Sequence, residues 1–142
     1  MKTIIKSTIS LALVLFCLLS LSACGNSVSP EGLWETATYL EDTTFGEGAK
    51  TFSVEVKVGE DSVTFTVNTD KETVGDALLE HDLIAGDQSD YGLYVKKVNG
   101  ITADYDVDQT YWAFYVNGEY AMTGIDATEI TEGATYKLER TK

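Results

Sequence analysis

The amino-acid sequence predicts an α+β fold, with one helix packed on a small mixed or antiparallel sheet. Two runs carry most of that expectation. Residues 51–58 place Phe52, Val54, Val56 and Val58 on one face and Ser53, Glu55 and Lys57 on the other. Residues 62–68 repeat the pattern, with Val63, Phe65 and Val67 on the apolar side. Successive strand side chains point to opposite faces, so strict alternation with one apolar side marks a half-buried strand. The third observation is a change of period after Thr73. There Val74, Ala77, Leu78 and His81 share one side of a helix, and Leu79 and Leu83 broaden it.

Taken in order, Leu33-Trp34 starts a first strand or caps the domain edge, and residues 41–50 read as a flexible loop. Gly59-Glu60-Asp61 turns the first alternating run back on the second, giving an antiparallel hairpin. Thr73 is the expected N-cap of a helix of about three turns, with Asp76 completing a capping box and Gly86 as the C′ residue. Residues 87–91 read as a polar loop, and residues 93–98 as a third strand ending at Asn99-Gly100. Residues 111–116 are one arm of a second hairpin, joined at Asn117-Gly118. Asn-Gly favours a type I′ turn because both central residues need positive φ. In that arm Trp112, Phe114 and Val116 face one way and Tyr111, Ala113 and Tyr115 the other, and neither face is charged. Residues 134–140 form a last strand, with Tyr136 and Leu138 on one face. Hairpin, helix and then short-linked strands resemble a β-grasp arrangement.

The N-terminus carries an address. Lys2 and Lys6 precede an apolar run that is short for a membrane span, and Leu21-Ser22-Ala23-Cys24 follows. These are the parts of a cleaved signal, and the four residues resemble a bacterial lipobox. Residues 1–23 are therefore expected to leave as a signal peptide. Cys24 is expected to carry a diacylglyceryl lipid, with fatty acylation such as palmitate. Residues 24–32 then form a lipidated tether, and residues 33–142 a single domain on the outer side of the bacterial membrane. Cys17 would leave with the signal, so the mature domain has no disulfide or thiolate metal site.

Charge excludes one class of partner. The formal net charge is −13, and it becomes −15 once Lys2 and Lys6 leave, because no acid leaves with them. Such a surface does not bind nucleic acid and is repelled by anionic lipid headgroups. The lipid, rather than the domain surface, is the expected contact with the membrane.

Catalytic signatures are weak. The chain has no G-x-S-x-G elbow and no phosphate-cradling glycine pattern, and His81 is the only histidine. The expectation is a protein that is not an enzyme and needs no cofactor. Asp104, Asp106 and Asp108 alternate as calcium ligands do. An EF-hand loop starting at Asp104 would need Gly at position 109 and Glu at 115, where the chain has Gln and Tyr. These three aspartates are weak metal candidates only. Aromatic binding is the stronger pattern, because Tyr and Trp offer apolar area with a polar handle. Tyr105, Tyr111, Trp112, Asn117 and Tyr120 are the expected ligand-binding residues.

A family resemblance joins these pieces. The matching stretches are Thr73-Val74-Gly75-Asp76-Ala77-Leu78-Leu79, Leu93-Tyr94-Val95-Lys96-Lys97-Val98-Asn99-Gly100-Ile101 and Tyr111-Trp112-Ala113-Phe114-Tyr115-Val116-Asn117-Gly118. With Thr123-Gly124-Ile125 and the run from Ile130 to Tyr136, they resemble the small C-terminal domain of vertebrate transcobalamin and intrinsic factor, found also in bacterial surface proteins. Where the bacterial relatives carry Asp after the last-turn Gly, this chain has Ala134. In the vertebrate proteins that domain closes over cobalamin together with a large helical domain. The resemblance implies half of such a clamp. The functional expectation is an anchored, non-catalytic module that binds a corrinoid, cobalamin-like ligand and feeds a transporter. The alternatives are an envelope protein or glycan interaction module and a cation-binding module.

Overall fold

The computed structural model describes residues 26–142. The expected signal peptide and Cys24 lie outside the described residues. Within the expected tether, the Val28 N–H donates to the Leu40 carbonyl and the Asp42 N–H to that of Asn26. Residues 26–28 are thus laid against residues 40–42. Leu33-Trp34 belongs to a 3₁₀ turn, Gly32–Thr36, not to a strand. Its Trp34 is buried and donates from Nε1 to the Val58 carbonyl at 3.4 Å.

The stretch read as a flexible loop contains a strand, β1 (Thr43–Phe45), which runs parallel to Phe65, Thr66 and Val67. Aromatic packing explains the difference. The Phe45 ring meets Tyr39 at 5.1 Å and Phe65 at 5.5 Å, both edge-on. β2 (Lys50–Val58) and β3 (Asp61–Thr69) form the expected hairpin, with each predicted inward residue buried.

The helix α1 (Val74–Glu80) is shorter than its sequence period suggests. Thr73 caps it, accepting from the Asp76 N–H at 3.2 Å. Its end lies at Asp82 and not at Gly86. Asp82 takes φ 55, its N–H donates to the Leu79 carbonyl, and the Leu83 N–H donates to that of Leu78. This is a Schellman ending, with Leu83 and Leu78 both buried in the core. Burying Leu83 fixes the end of the helix, so Asp82 accepts the left-handed conformation.

Gly86 instead lies in β4 (Ile84–Ser89), which pairs antiparallel with β5 (Gly92–Val98) and replaces most of the expected polar loop. A bulge falls between Ala85 and Gly86, where any Cβ on Gly86 would run into the Tyr94 carbonyl. Asn99-Gly100 then turns the chain into β6 (Ile101–Thr102). The single turn α2 (Tyr105–Asp108) is capped by Asp104. β7 (Tyr111–Val116) and β8 (Glu119–Tyr120) form the Asn117-Gly118 hairpin, with φ 48 and 86 at the turn. A 3₁₀ turn, Ile125–Ala127, precedes β9 (Thr135–Thr141).

The strands make two sheets where the sequence suggested one. The larger has the order β1-β3-β2-β9-β7-β8 and the smaller β4-β5-β6. β9 is parallel to β2 and antiparallel to β7, so the larger sheet is mixed. Val54, Val56, Phe65, Tyr136 and Leu138 join Val74 and Leu78 of α1, and Val98 and Ile101 of the smaller sheet, in one core. Each buried side chain of this size stabilises the fold by about 1.5–3 kcal/mol. The class is α+β, dominated by strands.

Candidate functional site

β7 has a strand on both sides for only a third of its length. β9 pairs with all of Tyr111–Val116, but β8 pairs with only Tyr115 and Val116. Beyond that short ladder the chain leaves as residues 121–124, and the Trp112–Phe114 half of β7 faces β5 across a groove. Leu93, Tyr94 and Val95 of β5 form one wall, and Trp112 and Phe114 of β7 the other. The groove measures about 260 Å³. A second hollow of about 790 Å³ adjoins it and shares Tyr120, Ala121, Met122 and Thr123. The rim is open, with Tyr120 58% and Met122 97% exposed.

Trp112 is 7% exposed, and its Nε1 is buried without a hydrogen-bond partner among the described residues. An unsatisfied buried donor costs roughly 1–3 kcal/mol. Trp34, by contrast, has an acceptor. The Trp112 N–H is closed off inside the fold, so an acceptor would recover that cost only after the indole edge was uncovered.

The hairpin tip is held firmly. The Asn117 Oδ1 accepts from the Thr135 N–H at 3.1 Å, and the Asn117 N–H donates to the Thr135 carbonyl at 2.8 Å. Tyr115 and Tyr120 meet edge-to-face at 5.6 Å, and the Lys137 ammonium lies 4.3 Å over the Tyr115 ring. A hydrogen bond from Lys137 to Glu139 raises the Lys137 pKa above its ordinary value, against the opposing effect of burial.

The expected binding residues separate. Trp112 and Tyr120 line the groove, and Asn117 lines the adjoining hollow, though its oxygen already serves the turn. Tyr111 is half-buried and lines neither of these two hollows. Tyr105 lies on α2 and lines a different groove with Tyr91 and Tyr94. Leu93 and Met122 were not expected at the site. Nothing in their local pattern marks them, because the site forms only where the two sheets meet.

The aspartate series does not converge. Asp104 accepts from the Asp106 N–H, while Asp108 accepts from Thr110 and pairs with Arg140 at 2.8 Å. The Thr110 hydroxyl, helped by Arg140, holds the Asp108 carboxyl below its ordinary range. Among the described residues, no group of three or more His, Cys, Asp or Glu side chains is placed to hold a metal ion. His81 caps the end of α1 beside Phe45 and lines a separate hollow with Gly46 and Asp70.

Residues 71–137 match the family model described as "Domain of unknown function (DUF4430)". A crystal structure from Ruminococcus gnavus ATCC 29149, described as that of a "putative metal binding protein", is 30% identical with a TM-score of 0.62, over 66% of this chain and 97% of that one. Residues 71–137 thus carry a DUF4430 domain. The DUF4430 match runs from just before α1 into β9, so it contains all of the groove's lining except Leu138. Haptocorrin in complex with Cbi is similar in fold, with a TM-score of 0.51 at 20% identity over 69% of this chain. The chain spans about a quarter of haptocorrin, 26% of its length. No curated protein matches. The expected likeness to the transcobalamin group is thus present in the fold.

Proposed function

We propose that the chain is a non-catalytic, β-grasp-like binding module, held outside the cytoplasm by a lipid on Cys24. Its groove takes a large planar ligand, and a corrinoid is the leading candidate. The observation that carries this reading is the open groove between β5 and β7, where Trp112 and Phe114 meet Leu93 and Tyr94, and Tyr120 and Met122 stand exposed at the rim. The fold likeness to haptocorrin in complex with Cbi supports the choice of ligand class. A corrin ring offers a wide apolar face to Tyr120 and Met122. The two hollows join along residues 120–123 as an open surface, which suits contact with one face of a ring system. The leader and lipobox support the anchor, and a transporter is the partner that would take the captured ligand onward.

Titrating cobalamin against the full chain in detergent, with tryptophan fluorescence as the readout, tests the ligand. Quenching is expected, with about tenfold weaker binding in Trp112→Phe, equivalent to ~1.4 kcal/mol. Unchanged fluorescence and no heat of binding would overturn the reading. The anchor is tested separately, by fatty-acid labelling that should disappear in Cys24→Ala.

A further inference from the structure

The other groove, on the outer face of β4 and β5, is a separate surface. It measures about 590 Å³ and is lined by Tyr91, Tyr94 and Tyr105 with Asp87, Lys96 and Asp104 among its polar members. Tyr91 is 100% exposed, at the turn between β4 and β5, and Tyr105 is 57% exposed on α2. Tyr94 stands on β5 two residues before Lys96, so both leave the same face of the strand. The β4–β5 register sets Asp87 opposite Tyr94. Three exposed rings, on the β4–β5 turn, β5 and α2, thus border one polar floor. Single exposed aromatics are ordinary, but three bordering one groove offer several apolar faces to one ligand.

The floor decides between occupants. The Lys96 ammonium is bound to Asp87 at 2.8 Å and lies 5.9 Å from the Tyr94 ring centre. Asp104 and Asp106 also act on this ammonium, and with Asp87 they raise its pKa. The place where a foreign cation would sit among these carboxylates is therefore taken by the chain's own lysine. An anion would meet three aspartates, and a cationic peptide would find the position between them already filled by Lys96. The floor offers carboxylate acceptors and an ammonium donor side by side, already locked together by an ion pair. The tyrosine hydroxyls both donate and accept. A polyol both donates and accepts from every hydroxyl, and its C–H faces stack on aromatic rings. We infer that the Tyr91–Tyr94–Tyr105 groove binds a neutral carbohydrate chain, with the rings carrying the sugar faces and the Asp87–Lys96 pair its hydroxyls. This site is independent of the Trp112 groove except at Tyr94, which borders both.

Affinity electrophoresis of the full chain in mild detergent tests the inference. The gels contain soluble neutral polysaccharides (dextran, xylan or a mixed-linkage glucan), with polylysine in a parallel gel. Retardation by at least one polysaccharide is expected. Tyr91→Ala and Tyr105→Ala should each weaken it by about three- to tenfold, and the double variant should abolish it. Both side chains project into solvent, so the variants should melt with the wild type. Both should also bind cobalamin as the wild type does, whereas Trp112→Phe should leave polysaccharide retardation unchanged. No retardation in any polysaccharide, retardation indifferent to both tyrosines, or retardation by polylysine alone would each overturn the inference.

Discussion

Single residues here divide into those that hold the fold and those left free to meet something else. Asn99 belongs to the first kind. It is buried, takes φ 50, accepts from the Tyr39 N–H at 2.9 Å and donates from Nδ2 to the Tyr39 carbonyl at 2.8 Å. Its amide thus stands in for a strand partner to the stretch before β1. Asn99→Ala should lower stability by roughly 2–4 kcal/mol in urea unfolding, from two lost hydrogen bonds and a strained φ. A loss near zero would show that this bridge does not form. Trp112 is also buried in the core, but its indole N–H has no partner among the described residues. Trp112→Phe removes an unsatisfied donor along with some apolar area, so the two effects oppose and the net change should stay within about 1 kcal/mol. Trp34→Phe loses a satisfied donor as well as area, and should cost more. Equal costs would mean that the Trp112 N–H already has an acceptor. Asp108 is the residue that makes stability depend on acid. Its folded pKa is depressed by Thr110 and Arg140, so its contribution is present above the unfolded value of 3.8 and is lost as pH falls through the lower folded value. Asp108→Asn should therefore flatten the fall in melting temperature below that pH. An unchanged acid limb would move the effect to other carboxylates.

Elements were legible where a local pattern and a tertiary partner agreed. The β2–β3 hairpin and the Asn117-Gly118 turn could be read because alternation and turn chemistry specify them without help from distant residues. The end of α1 could not, since the periodic positions run on to Leu83 while the backbone has already turned at Asp82. β4 was hidden for a related reason. Gly86, Asp87, Gln88 and Ser89 have poor strand propensity, and only the ladder to β5 makes them extended. The groove shares that fate, because its walls come from β5 and β7, which lie in different sheets. The sequence could nominate Trp112 and Tyr120 but had no means of placing Leu93 or Met122 beside them. The helix end yields its own test. Asp82→Gly should stabilise the protein by about 0.5–1 kcal/mol, because glycine adopts positive φ without a Cβ penalty. Gly75 is the converse case, where a Cβ would lie 2.7 Å from the Asp126 Cα. Gly75→Val should push α1 off the Ile125–Ala127 turn and lower the melting temperature, while Asp82→Gly raises it. Any other pairing of signs would contradict the helix described here.

Charge governs the molecule as a whole. Five of the eight Lys and Arg side chains in residues 26–142 already sit in ion pairs, so most carboxylates face only one another. Repulsion between exposed like charges is screened over ~8 Å at about 0.15 M salt. The melting temperature should therefore rise by a few degrees between about 0.01 M and 0.15 M sodium chloride. Potassium chloride should act identically, and calcium at matched ionic strength should add no saturable step. A saturable step at low calcium would reveal a cation site, and Asp104 and Asp106 would be the first residues to mutate. The same repulsion bears on the anchor. A domain this acidic gains nothing from an anionic headgroup layer, so in the proposed arrangement the lipid on Cys24 is the attachment to test. Cys24→Ala should release the chain from the membrane fraction even at low salt, where a basic surface would still cling. If Cys24→Ala stays in the pellet at low salt and leaves at high salt, a basic membrane contact exists. If it stays at both, the apolar leader itself holds the chain, and the lipid on Cys24 is not what fastens it.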